Sequence, residues 1–220
     1  MLACVMTTCT LSIAPLSQAE STAIPADFPE AYYRQARELG NEILSVDSTQ
    51  SLVVIEVHRA GPLAWLGHDH VVASHNLRGY VSIAEGQADL FVPLEQLVAD
   101  EPELRTDAGF NTQPSKEDIE ATYLNMQNAL ESGHFPFALI HITRTSADRP
   151  QMEVSITLHG IKRTYEVQAH IEFVPNGVAI NGWMSLNQAD FGITPLSVMG
   201  GAIQVQDKLD LRFHILAQNN

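Results

Sequence analysis

The stretch Gly67-His68-Asp69-His70 is where side-chain type and spacing in this sequence could do chemistry. In an extended strand, residues two apart share a face, so the imidazoles of His68 and His70 could approach one divalent cation while Asp69 points away. A metal centre of this kind needs a third ligand, for which His159 and His75 are the candidates. His75 has the opposite parity to His70 in a regular strand, and His159 could join only through the pairing of distant strands. A His-x-His metal site of the cupin kind continues with a Glu within a few residues, whereas Val71, Val72, Ala73 and Ser74 follow His70. Two other roles remain open for the pair. They could rim a cavity, hydrogen-bonded to backbone or to Asp100 and Glu101, or an imidazole N–H could meet the polar head of a ligand.

The run Asp100-Glu101-Pro102-Glu103-Leu104-Arg105 crowds three carboxylates together, as an acid pair or a calcium loop would. Pro102 and the position between a strand and a helix make a solvated loop the expectation, with Arg105 neutralising a neighbour. The sequence has no Gly-x-Ser-x-Gly elbow, no glycine-rich phosphate loop and no His-Glu-x-x-His pair. A binding protein is expected, not an enzyme, with no cofactor beyond a bound ligand.

Composition narrows the partners. The formal charge of −14 repels phosphate backbones and anionic lipid surfaces, so nucleic acid is excluded as a partner. Met1 to Ala19 contains no Asp, Glu, Lys or Arg, has an apolar middle and closes on Ser17-Gln18-Ala19, which reads as an export signal cut after Ala19. It is too short and polar to span ~30 Å of hydrocarbon, so an integral membrane protein is not expected. Cys4 and Cys9 both fall inside it, which leaves the processed chain without a disulfide and dependent on its apolar core.

The elements that must position these residues follow from periodicity. Asp27 to Gly40 reads as an N-terminal helix outside the main domain, with Pro29 near its first turn. From Ile43 the period becomes two. Val53, Ile55 and Val57 alternate with Val54, Glu56 and His58; Val71, Ala73, Leu77, Val81 and Ile83 form a second apolar face; Ala88, Leu90, Val92 and Leu94 form a third. Met152 to Leu158, Tyr165 to Phe173, Val178 to Leu186 and Ile203 to Leu216 repeat the pattern, with Pro175-Asn176-Gly177 as a tight turn. One helix interrupts them. Ser115 caps it with Asp118 three residues on, Ile119, Tyr123, Met126 and Leu130 form its stripe, and Gly133 stops it. About eight one-sided strands imply an all-β antiparallel barrel or sandwich, with that helix over one mouth.

The order of these pieces resembles the YceI-like polyisoprenoid-binding family of exported, lipocalin-like barrels. The residues that carry the resemblance are Phe135-Pro136 leading into Phe137-Ala138-Leu139-Ile140, Ile156-Thr157-Leu158-His159-Gly160-Ile161 before the basic Lys162-Arg163, Asp190-Phe191-Gly192-Ile193, and the closing strand Val205 to Ile215. Gly67 to His70, Asp100 to Arg105 and Met199-Gly200-Gly201 depart from the family's best-known members. The chain thus divides into a signal peptide over 1–19, a helical extension over 20–42 and, as the resemblance implies for the remainder, a lipocalin-like barrel of about eight strands over 43–217. The resemblance further implies a periplasmic protein that holds an isoprenoid chain, such as a quinone or polyprenyl tail, with no covalent chemistry; a homodimer would be compatible with it. The candidate ligand contacts are Leu63, Trp65, Leu66, His68, His70, Phe91, Phe110, Met126, Phe135, Phe137, Phe191 and Met199. The alternatives are a metal-binding protein or metal-dependent enzyme built on His68, His70 and His159, and a solid barrel whose acidic surface meets a basic protein.

Overall fold

The computed structural model describes residues 23–144 and 151–219. The expected signal peptide and both cysteines lie outside the described residues. The strands in chain order are β1 (Ile43–Val46), β2 (Leu52–Ala60), β3 (His70–Ser74), β4 (Arg78–Ser82), β5 (Gln87–Pro93), β6 (Val98–Ala99), β7 (Phe137–Arg144), β8 (Gln151–Leu158), β9 (Ile161–Val174), β10 (Gly177–Asn187), β11 (Ser197–Val198) and β12 (Ile203–Gln218). The helices are α1 (Glu30–Glu38), α2 (Pro102–Asp107) and α3 (Lys116–Leu130). Among the described residues, no helix is long and apolar enough to cross a membrane.

Antiparallel pairing runs β1-β4-β5-β7-β8-β9-β10-β12, and β12 returns to β1 through Ser45 opposite Gln218 and Val46 opposite Ala217. That return closes an eight-stranded barrel and removes its free edges. The turn from β9 to β10 uses Pro175 and Asn176, the latter in the left-handed region at φ 67°. A Cβ on Gly177 would sit 2.1 Å from the Ala217 carbonyl oxygen, so only glycine lets β10 and β12 approach there.

Beyond Val46 the wall changes partners. β2 continues where β1 stops and pairs with β12 on one side and β3 on the other, and β3 pairs with the short β6. β6 has no strand beyond it, and α3 packs beside it. The barrel therefore has a narrow half walled by strands alone and a wide half in which a helix replaces part of the wall. Ser115 and Asp118 form the expected capping box of α3. The helix ends through Glu131 in the left-handed region (φ 46°), before the anticipated Gly133. Its flank is tied to the barrel by Tyr123, donating to the Glu95 carbonyl at 3.0 Å, and Gln127, donating to the Leu94 carbonyl at 2.8 Å.

Two expectations change. In β3 the inward residues are His70, Val72 and Ser74, whereas Val71 and Ala73 point out and are buried where α2 packs on β3. Cover on both faces makes the strand apolar throughout, which hides its parity. The Asp100–Arg105 run is not a solvated loop. Pro102 starts α2, where its missing N–H costs nothing, and the side chains of Asp100 and Arg105 are buried against each other. The N-terminal helix, in turn, lies against the outer wall. Tyr33, Ala36 and Ile43 form a second small core with Tyr80, Phe28 meets Phe91 edge-on with ring centroids 4.9 Å apart, and the Tyr33 hydroxyl donates to Asp89 at 2.7 Å.

Candidate ligand-binding site

Inside the narrow half, Leu44, Leu77, Val81, Leu90, Val154, Val167, Ile215 and Ala217 pack into continuous core. Phe213 extends across to β10, where a Cβ on Gly182 would lie 2.5 Å from its ring. The wide half is hollow. A cavity of about 250 Å³ opens there, with walls supplied by Val53, Ile55 and Val57 of β2, Val72 of β3, Ala138 and Ile140 of β7, Ile156 and Leu158 of β8, and Leu209 and Leu211 of β12. Met126, Ala129 and Leu130 of α3 form a further wall. The polar lining residues are His70, Ser74, Thr122, Asn125 and Gln188, and among the described residues no Asp, Glu, Lys or Arg reaches the lining. A second space of about 60 Å³ lies at the opposite end, lined by residues such as Ile83, Ile142 and Ile171. A dry, aliphatic space with a few polar groups is what a flexible apolar molecule requires.

Of the polar lining residues, His70 belongs to a buried charged cluster. Its Nδ1 donates to Asp100 Oδ2 at 2.6 Å. The other carboxylate oxygen of Asp100 accepts from the Val71 amide at 3.1 Å and pairs with Arg105. Burial pushes the Asp100 carboxyl upward, but the hydrogen bond and charge of His70, the Val71 amide and the Arg105 guanidinium outweigh it and hold the group below the ordinary carboxylate range. Arg105 also donates to the Asp69 carbonyl at 2.6 Å and to the Thr112 carbonyl at 2.6 Å, and it lies over the Phe110 ring. Asp69 turns away, as expected, and accepts from the Arg59 amide at 2.9 Å. His68 stands beside His70 with ring centroids 6.3 Å apart; its Nε2 is 4.0 Å from Asp118, and its buried Nδ1 has no hydrogen-bond partner among the described residues.

The remaining candidates are scattered. Met126 lines the cavity, and Leu63 lies in the β2–β3 loop, its amide bonded to the Ala202 carbonyl. Trp65, Leu66 and Met199 are 72%, 50% and 71% exposed, outside the cavity on the loops around the β2 and β12 ends. Phe91 and Phe137 meet each other on the outer wall beneath Phe28. Phe110 packs on His58, and Phe135 fills the space over Gly160 beside His159. Phe191 is fully buried in a turn that fills the wall where β9 and β10 stop pairing. His159 faces the Phe191 carbonyl and Glu131 instead of joining His68 and His70. Among the described residues, no three His, Cys, Asp or Glu side chains come together as a metal site.

Sequence reasoning missed most of the cavity wall. Alternation marks Val53, Ile55, Ile156 and Leu209 as inward, but an inward aliphatic residue reads the same whether it faces packed core or empty space. Asp100 carried a findable signal, an arginine five residues on across a proline that can begin a helix.

The YceI-like domain family matches residues 45–217. No protein of curated function matches the chain. Among solved structures, a polyisoprenoid-binding domain from Saccharophagus degradans implicated in plant cell wall breakdown superposes with a TM-score of 0.57 at 12% identity, over 80% of this chain and 98% of that one. Burkholderia cenocepacia BcnA superposes with a TM-score of 0.52 at 15% identity, over 79% and 99%. At these identities the likeness is one of fold.

Proposed function

Because this chain belongs to the YceI-like family, we propose that it is a carrier that holds a long apolar chain of the polyisoprenoid kind in the wide half of its barrel. The observation that carries this reading is the uncharged, mostly aliphatic cavity of about 250 Å³ walled by β2, β3, β7, β8, β12 and α3. Each methylene moved from water into such a wall contributes ~0.8 kcal/mol, before the cost of ordering the chain. The name of the Saccharophagus domain agrees in ligand class. The carrier acts by binding and release, without covalent chemistry. Its place of work is the periplasm, a reading supported by the uncharged, apolar Met1 to Ala19 stretch.

The test is native mass spectrometry and solvent extraction of the purified full chain. A stoichiometric apolar molecule is expected, or uptake of geranylgeraniol by protein that has been stripped of lipid. Protein that is repeatedly recovered empty and takes up no isoprenoid would overturn the reading.

A further inference from the structure

Large apolar side chains stand exposed on two neighbouring loops, at the end of the barrel where β2 stops and β12 begins; the inference drawn from them rests on the carrier reading above. Trp65 and Leu66 lie on the β2–β3 loop, and Leu196, Val198 and Met199 lie on the segment between β10 and β12. The backbones hold the two loops together. The Leu63 amide donates to the Ala202 carbonyl at 2.8 Å, and a Cβ on Gly61 would lie 2.6 Å from the same oxygen, so only glycine allows the approach. Leu196 joins this surface to the cavity, because it is 42% exposed and also lines the cavity wall. Leu124, Phe173 and Trp183 are exposed too, but they stand apart on α3, β9 and β10.

Charge is absent from the same two loops. Neither 60–67 nor 191–206 contains Asp, Glu, Lys or Arg, although such residues make up 17% of a chain whose net charge is −14. Arg59 and Asp69, which flank the first loop, pair with each other at 3.5 Å. A second copy of so acidic a chain, or an anionic bilayer, would be repelled on approach. A zwitterionic bilayer carries no net charge, and its interface favours tryptophan among uncharged neighbours. It is also where a water-insoluble isoprenoid dissolves. We propose that Trp65, Leu66, Val198 and Met199 insert into the interface of a zwitterionic phospholipid bilayer, so that the ligand passes between bilayer and cavity by way of Leu196.

The test uses the purified full chain and vesicles of phosphatidylcholine. In Trp183→Phe, Trp65 is the sole tryptophan, and its emission should shift to the blue when vesicles are added and be quenched when their lipid tails are brominated. In Trp65→Phe, the exposed Trp183 should show neither change. The double variant Trp65→Ser, Met199→Ser should partition to the vesicles about tenfold or more weakly, as expected when large apolar side chains lose a buried place. Neither residue lines the cavity. Geranylgeraniol added from methanol, without vesicles, should therefore bind the double variant within about twofold of wild type, while uptake from loaded vesicles should slow. Vesicles of phosphatidylglycerol should bind the wild type more weakly than phosphatidylcholine does.

An unshifted Trp65 emission, or partition that survives the double variant, would overturn the proposal and leave the carrier reading intact. So would a vesicle-free dimer in sedimentation velocity that the double variant dissociates, since a second copy would then cover this surface. If the wild type takes up no geranylgeraniol even from methanol, the carrier reading falls and the proposal with it. The Trp183→Phe measurement stands even if the double variant does not fold.

Discussion

Replacing Ala138 by Phe distinguishes a hollow barrel from a solid one by the sign of a stability change. Ala138 lies on β7 opposite Val92 and lines the cavity. The substitution adds six carbon atoms. A cavity of ~150 Å³ suffices for benzene, so a ring fits the space of about 250 Å³ and takes up much of it. Burying a phenylalanine side chain contributes about 1.5–3 kcal/mol, and the methyl group replaced and the rotamer freedom lost leave a net gain of about 1 kcal/mol. For a chain of this size that is roughly 2–4 °C in melting temperature. A packed interior would respond in the opposite direction, losing about 1–3 kcal/mol to strain. The assay is thermal unfolding of the lipid-stripped protein, paired with geranylgeraniol uptake. The expected result is a higher melting temperature together with loss of uptake. A lower melting temperature with uptake unchanged would refute both the cavity and its role.

Asp100→Asn should destabilise the protein by about 3–5 kcal/mol at pH 7, because it strands Arg105 in a buried position. Since Asp100 has a lower carboxyl pKa in the folded than in the unfolded chain, its contribution is full above about pH 4–5 and is lost as the pH falls through the folded value. Urea midpoints of wild type and variant should converge toward pH 2, and a deficit independent of pH would contradict this account. Gly79→Ala should cost about 2–4 kcal/mol, since the residue has φ +147° and its Cβ would lie 2.1 Å from the Asp89 carbonyl oxygen. An unchanged urea midpoint would show that β4 and β5 do not approach this closely at Gly79. Tyr33→Ala should remove about 3–5 kcal/mol, as expected for a fully buried aromatic residue. A loss under 1 kcal/mol would mean that α1 is not part of the cooperative fold.

Strand alternation made most of the barrel legible, because a half-buried strand writes its inward face into every second position. Met152, Val154, Ile156 and Leu158 are inward as read, and so are Val178, Ile180, Met184 and Leu186. The reading failed where a second layer covers the outside. Val71 and Ala73 are apolar for the sake of α2, and Phe91 and Phe137 pack on the outer wall, where Phe28 covers Phe91. At the site, large aromatic residues attracted attention as ligand contacts, yet Phe91, Phe110 and Phe137 seal the outside and Phe191 plugs the wall. His70 was legible as polar and oddly placed. Its partner Asp100 is one of the two carboxylates named for the pair, and the hydrogen bond forms, although the run that carries it reads as a solvated loop.

The hollow half lies where the strand wall is interrupted, at β6 and again where β9 and β10 stop pairing after Gly182. Eight strands enclose an interior that side chains just fill, as the narrow half shows with Leu44, Leu90, Val167 and Ile215 packed together. In the wide half β2 and β3 continue the wall, but β6 ends after Val98–Ala99 without reaching β7. Helix α3 packs beside β6 and the Leu94–Gln96 turn and supplies wall there, and a helix is 10–12 Å wide where a neighbouring strand would take about 4.8 Å. The perimeter grows by the difference, while the inward side chains stay valine, isoleucine, leucine and alanine. Strands alone would leave no room. The helix that reads as a lid over the barrel mouth is the part of the wall that makes the cavity.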